Sequence, residues 1–287
     1  MEHRIAKTEK GFIEYTWLGN GPVILVCHGT SSDCFSEDGY DPLLAAGFSL
    51  LTPSRPGYGR TSSKVGASAK AAAEAMVALL DTLEIRNCMV MAVSGGGPTG
   101  IALAANWPQR IDRLALVAAI SRPEARVQEP SYQSQVAFYG PMHNLTWRML
   151  QLISRLSPNN MARQTMAIFS THDPQEAVRH LTPEDIKNIC HFYQHSSSRR
   201  GALNDLTHSV GQELLQSIKV PTLVIHSRED KSVPFSHAEY SLAHISNAEL
   251  CEGGFTGHFF WIGPDYPRIS QRLVEFLKSE ANQPEKA

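Results

Sequence analysis

The feature that most constrains this chain is an alternation of short apolar runs with stretches of helical spacing. PVILVCHG (22–29) is a continuous apolar run ended by glycine, the pattern of a strand buried on both faces. FSLLTP (48–53), CMVMAVSG (88–95) and RLALVAAI (113–120) repeat it. Between them, SAKAAAEAMVALLDTLEI begins at a plausible N-cap, Ser68, and carries an apolar stripe through Ala72, Met76, Leu79, Leu80 and Leu83. IALAANW (101–107) continues a second helix. The rhythm resumes with a strand at VPTLVIHS (220–227), a helix at FSHAEYSLAHI (235–245), a short strand at AELCEGG (248–254) and an amphipathic helix at YPRISQRLVEFLKSE (266–280). Such a succession predicts an α/β fold: a mostly parallel central sheet with helices on both faces.

Between 121 and 210 the strand runs vanish. SQVAFYGPMHNLTWRMLQLISRL and TPEDIKNICHFYQHSS have helical spacing and are rich in aromatic residues. The expected organisation is a core of 1–120 and 211–287 interrupted by a helical cap, 121–210. Phe138, Tyr139, Trp147 and Phe192 are candidates to line an apolar pocket beneath it. The final NQPEKA reads as a frayed tail.

Composition narrows the function classes. Lys and Arg number 26 against 28 for Asp and Glu, a net charge of −2. That balance, with no basic run interleaved with aromatics, argues against nucleic acid as a partner. The opening MEHRIAKTEKGF has no apolar signal segment and no run is long enough to span a bilayer, so the chain reads as soluble and cytoplasmic. Five scattered cysteines, Cys27, Cys34, Cys88, Cys190 and Cys251, lack metal or redox spacing and read as free thiols. His191 and His195 stand four apart near Cys190, but no further ligands follow at zinc spacing, so no metal is expected.

Three residues carry the chemistry. Ser94 lies between the strand CMVMAV and the helix opened by GGGPTG, a sharp turn tolerable only among small neighbours. Read alone, the window favours a functional serine, and a glycine-rich turn with an incidental serine is the alternative. Gly95, Gly97 and Gly100 also spell a dinucleotide fingerprint, but no carboxylate follows the next strand until Glu124, and no lysine makes a P-loop. Asp230 follows the strand VPTLVIH, and His258 follows a short strand, between glycines and aromatics. Each falls at the carboxyl end of a predicted parallel strand, so the three converge on one sheet edge. A serine hydroxyl needs a base within hydrogen-bond reach, and that base needs a carboxylate to fix its tautomer. The sequence supplies one candidate for each role. Arg228, Glu229 and Lys231 are read as solvated neighbours of the acid, and Phe259, Phe260 and Trp261 as packing around the histidine.

These blocks resemble the α/β-hydrolase family over nearly the whole chain. HGT (28–30) is similar to its HG motif, and SRPGYGRT (54–61) to its D-x-P-G-x-G loop, with Ser54 in place of Asp. AVSGGGP (92–98) is similar to its nucleophile elbow, with Ala92 in place of the first Gly, and HSREDKSVP and GGFTGHF to its acid and histidine loops. The resemblance implies an oxyanion hole from the backbone N–H groups of Thr30 and Gly95. It implies a serine hydrolase acting without cofactor on an ester-like, apolar or amphipathic small molecule, either a carboxylic ester or a lactone. Activity is expected to fall on the acid side as the imidazole is protonated. C–C hydrolysis or perhydrolysis by the same residues, and a slow or non-catalytic ligand receptor, are the alternatives.

Overall fold

Strand pairing follows the apolar runs. A computed structural model describes residues 3–36, 39–123, 140–196 and 199–279. Its sheet has 8 strands: β1 (His3–Thr8), β2 (Gly11–Leu18), β3 (Val23–Cys27), β4 (Ser49–Pro53), β5 (Cys88–Val93), β6 (Ile111–Val117), β7 (Thr222–His226) and β8 (Ala248–Glu252), in the order β1-β2-β4-β3-β5-β6-β7-β8. β3 to β8 are mutually parallel, whereas β1 and β2 form an antiparallel hairpin on the edge beyond β4. The hairpin escapes the apolar-run reading because it is only half buried: Ile5 and Phe12 face outward while Ala6 and Ile13 face the core.

The period-2 alternation of each central strand divides the core in two. Ile24, Val26, Met91 and Val93 point to one face; Leu25, Cys27, Val90 and Ala92 point to the other. The second face is covered by α2 (Ala69–Thr82) and α3 (Gly97–Asn106). Ser68 caps α2 as expected, its side chain accepting the Ala71 N–H at 3.2 Å. The first face carries α1 (Asp41–Ala45) and α11 (Tyr266–Lys278), whose Ile269, Leu273 and Phe276 are buried.

Between β6 and β7 the described chain is entirely helical apart from connecting turns: α4 (His143–Leu156), α5 (Pro158–Phe169), α6 (Pro174–Arg179), α7 (Pro183–His195), α8 (Arg199–Asp205) and α9 (Gln212–Gln216). α10 (Ser236–His244) then links β7 to β8. Phe138, Tyr139, Glu124 and the tail NQPEKA lie outside the described residues. All five cysteines are buried and free. Among the described residues no helix is long and apolar enough to cross a membrane.

Candidate active site

The carboxyl ends of β3, β5, β7 and β8 deliver the site. Parallel pairing sets Cys27 beside Ala92, Val93 beside Val117 and Val117 beside Ile225, so the loops that follow emerge along one edge. Ser94 turns sharply off β5 with φ +49°, a left-handed conformation that an L-residue adopts only under constraint from its surroundings. The constraint is visible in the glycines. A side chain on Gly96 would strike the Cys27 carbonyl, and one on Gly97 would strike the Ile120 carbonyl. Ala92 fits because Gly100, one turn into α3, leaves room for its methyl group.

From this bend the Ser94 hydroxyl reaches His258 Nε2 at 2.9 Å, and His258 Nδ1 reaches Asp230 Oδ2 at 2.7 Å. Asp230 is buried, and its other oxygen accepts the Ser232 and Val233 N–H groups, each at 2.8 Å. An oxygen held by two backbone donors cannot swing, so the carboxylate presents Oδ2 to the imidazole. His226 approaches from behind: its Nε2–H donates to the Val233 carbonyl at 2.8 Å and lies 3.5 Å from Asp230 Oδ2. Burial lowers the His226 pKa below the ordinary histidine value, against the pull of Asp230. The arrangement can pass the serine proton to Nε2 while the carboxylate steadies the charge that appears on the ring.

Thr30 and Gly95 face each other across this bend: a Cβ on Gly95 would collide with the Thr30 hydroxyl oxygen. Neither backbone N–H enters a backbone hydrogen bond among the described residues. Gly29 lies against the serine, a Cβ there falling 3.4 Å from Ser94 Cβ.

A cavity of about 260 Å³ opens over Ser94 and His258. Its far wall comes from the helices between β6 and β7, through Trp147, Leu150, Ile168, Phe169, Phe192 and Tyr193. Trp147 and Phe192, expected in such a lining, are there. Phe259 and Trp261, read from the sequence as packing, are buried and also line this cavity. Phe260 packs edge-on against Trp261, with centroids 5.0 Å apart. Arg228 and Lys231 are exposed and Glu229 half exposed; Arg228 pairs with Glu252 at 2.9 Å. Among the described residues no group of His, Cys, Asp and Glu is arranged to hold a metal ion.

Several contacts at the site have no motif behind them. The strap Phe169–Thr171 is stitched to both functional loops: the Phe169 carbonyl accepts the His258 and Lys231 N–H groups, at 3.1 and 3.3 Å, and the Glu229 carbonyl accepts that of Thr171 at 3.0 Å. Where the D-x-P-G-x-G loop would have Asp, Ser54 donates to Glu14 Oε2 at 3.0 Å, and that oxygen also accepts the Arg60 N–H at 2.8 Å. The hairpin strand β2 thus supplies the missing carboxylate. Arg55 of the same loop is fully buried and forms a bidentate pair with Asp205, from the end of α8, at 2.6 and 2.9 Å.

A family model described as the alpha/beta hydrolase fold matches residues 22–263. The chain belongs to that family. It is 35% identical over 272 residues to the uncharacterized hydrolase YcgS of Bacillus subtilis (strain 168), covering 94% of this chain and 96% of that one. It is 24% identical over 282 residues to 2-hydroxy-6-oxononadienedioate/2-hydroxy-6-oxononatrienedioate hydrolase 1 of Pseudomonas putida, covering 92% of this chain and 91% of that one. Among solved structures, an alpha/beta hydrolase fold protein from Nakamurella multipartita superposes with a TM-score of 0.82 at 27% identity, covering 96% of this chain and 99% of that one.

Proposed function

We propose that this alpha/beta hydrolase cleaves an ester-like small molecule, a carboxylic ester or a lactone, through an acyl-enzyme on Ser94. The observation that carries the reading is the unbroken relay from Ser94 through His258 to Asp230 at the floor of a largely apolar cavity. His258 Nε2 takes the hydroxyl proton as Ser94 Oγ bonds to the carbonyl carbon, and the carbonyl electron pair moves onto oxygen. The N–H groups of Thr30 and Gly95 receive that oxyanion, and one such donor is worth about 3 kcal/mol of transition-state stabilisation. The imidazolium then gives its proton to the leaving alkoxide. Water, deprotonated by the same nitrogen, releases the acid. Asp230 holds Nδ1–H throughout. The chemistry needs no metal or organic cofactor. The helices between β6 and β7 act as the cap, since their apolar side chains roof the nucleophile and set which acyl groups fit.

A second reading, hydrolysis of a carbon–carbon bond beside a ketone, draws on the Pseudomonas putida relative's name. It uses the same three residues. A fluorophosphonate probe followed by mass spectrometry tests what both share, and the expected adduct is on Ser94. Turnover of p-nitrophenyl acetate, lost in Ser94→Ala, separates hydrolase from receptor. Tight ligand binding that survives Ser94→Ala, with no turnover in the parent, would overturn the catalytic reading. Cleavage of a vinylogous 1,5-diketone at a rate far above that of the ester would favour the second reading.

A further inference from the structure

The 28–31 turn, which carries one of the two proposed oxyanion donors, is held at three points by a single buried cluster. The Thr30 hydroxyl donates to Asp205 Oδ2 at 2.7 Å. The Tyr58 hydroxyl donates to the same oxygen at 2.6 Å and accepts the Ser31 N–H at 3.3 Å. Arg55 Nε donates to the His28 carbonyl at 2.6 Å, while its two terminal nitrogens grip Asp205. His28 is fixed in turn. Its Nδ1–H donates to the Gly29 carbonyl at 2.8 Å, and its Nε2 accepts the Arg55 backbone N–H at 2.9 Å.

The turn needs this support. Ser31 has φ +66°, a strained value for a non-glycine residue, and the Thr30 N–H must stay aimed at a point above Ser94. The Thr30 hydroxyl proton is committed to Asp205, which leaves the backbone N–H as its donor toward substrate. Charge matters equally. A Cβ on Gly95 would lie 3.1 Å from Asp205 Oδ2, so this carboxylate sits close behind the place where negative charge would develop. A bare anion there would oppose an oxyanion. The Asp205 side chain is 9% exposed and that of Arg55 is 0% exposed, so the two are paired in a medium that screens them little. Burial alone would raise the Asp205 pKa, but Arg55 and the hydroxyl donors outweigh it and hold the carboxyl below its ordinary value.

Asp205 comes from the helical insertion, not from the sheet. The segment around it is docked on the 55–66 loops: Asn204 Nδ2 donates to the Pro56 and Gly66 carbonyls, at 3.1 and 2.8 Å, and any side chain on Gly201 would run into the Tyr58 ring.

Resting on the oxyanion role of Thr30, we propose that Asp205 is a positioning residue for turnover. With Arg55 and Tyr58 it fixes the Thr30 turn, so that correct seating of the insertion on the core is required for a competent oxyanion site. Removing it leaves the nucleophile and its base in place but lets the donor drift.

The test uses p-nitrophenyl acetate together with a matched pair of ketones. A trifluoromethyl ketone accepts Ser94 Oγ and becomes a hemiketal oxyanion as the serine proton passes to His258; the corresponding methyl ketone binds without adding. Asp205→Asn and Thr30→Val are each expected to lower kcat by about 10- to 100-fold with KM little changed. The trifluoromethyl ketone should weaken by the same factor while the methyl ketone does not. The double variant should fall no further than the worse single, because both break one link. Tyr58→Phe should show a smaller loss of the same kind, and it carries the test with Thr30→Val if Asp205→Asn does not fold. With Ser94-dependent turnover present in the parent, unchanged kcat and trifluoromethyl ketone affinity in these variants would overturn the proposal. So would losses that multiply in the double variant. Absence of Ser94-dependent turnover in the parent would instead strike the hydrolase reading itself.

Discussion

The Phe169 ring stacks on the His258 imidazole, with centroids 5.7 Å apart and planes 19° from parallel. The same residue's carbonyl accepts the His258 N–H, so one residue from the helices between β6 and β7 holds both the ring and the backbone of the proposed base. Its edge contact with Phe259, at 4.9 Å, completes an aromatic collar beside the imidazole. Phe169→Ala removes the ring and leaves the carbonyl. Turnover of p-nitrophenyl acetate should fall about tenfold through looser placement of the base, and Phe169→Leu should lie between. Steady-state kinetics check this; equal rates in all three proteins would show the collar to be idle.

The contact between Ala92 and Gly100 makes the elbow's departure from its usual sequence testable. A methyl group on Gly100 would collide with the Ala92 Cβ and approach Val90 Cγ1 at 3.4 Å. Gly100→Ala is therefore expected to cost about 1–3 kcal/mol of stability through overpacking. Adding Ala92→Gly should recover most of that loss, because it vacates the contested volume. Urea unfolding midpoints of the two singles and the double decide it. Additive losses would mean that the two positions do not share that space.

Much of the candidate site was legible because its residues leave local marks. Ser94 lies at a turn tolerable only among small neighbours, Asp230 follows an apolar strand and His258 a short one. Chain order at parallel strand ends then brings all three to one edge without any knowledge of distance. Asp205 left no such mark. It ends a short helix in SRRGALND, and only the docking of that helix on the 55–66 loops gives it partners 175, 150 and 147 residues away. Glu14 was hidden for a related reason. It sits in a half-buried edge hairpin whose mixed alternation does not stand out as a strand, so the carboxylate that stands in for the Asp absent at Ser54 is seen only once β2 pairs with β4. Phe259 and Trp261 were placed correctly as buried, but sequence does not tell a buried wall from a buried filler.

Acid should destabilise the fold through histidines the fold keeps neutral. Burial, reinforced by Arg55, lowers the His28 pKa to about 3, and burial, reinforced by His226, lowers that of His237 to about 4. In the unfolded chain both revert to the ordinary histidine value of 6.5, so below that pH the unfolded state binds protons that the native state refuses. Stability is present above about pH 6.5 and is lost as pH falls toward the native values. These two groups alone give a slope on the order of 2–3 kcal/mol per pH unit near pH 5. His226 and His208, also lowered, steepen it. Urea titrations from pH 7.5 to 4.5 measure the slope. His237→Asn, which keeps an acceptor for the Ser121 N–H, should flatten it by about half that amount. A pH-independent midpoint would mean that these rings are already charged in the native protein.

Specificity should respond to the wall between two cavities. Beside the 260 Å³ cavity lies another of about 430 Å³, lined by Asp33, Tyr40, Asn188, His191 and others. Ser32, Phe192 and Trp261 line both and therefore separate them. Trp261 is buried against Phe259, with centroids 4.8 Å apart, so truncating it would cost about 3–5 kcal/mol of stability. Phe192 is half buried and makes edge contacts with Tyr193 and Phe259 at 5.2 and 5.3 Å, a cheaper place to open the wall. Phe192→Ala should join the two spaces. For p-nitrophenyl esters of increasing acyl length, the parent's kcat/KM should drop once the chain outgrows the smaller cavity. In the variant that drop should shift to longer chains, while the acetate loses about two- to threefold from weaker packing. The ratio of octanoate to acetate kcat/KM reads the shift directly. An unchanged ratio would mean that acyl groups leave the nucleophile in another direction, past Trp147 and Leu150, and that the larger cavity serves no part of the ester.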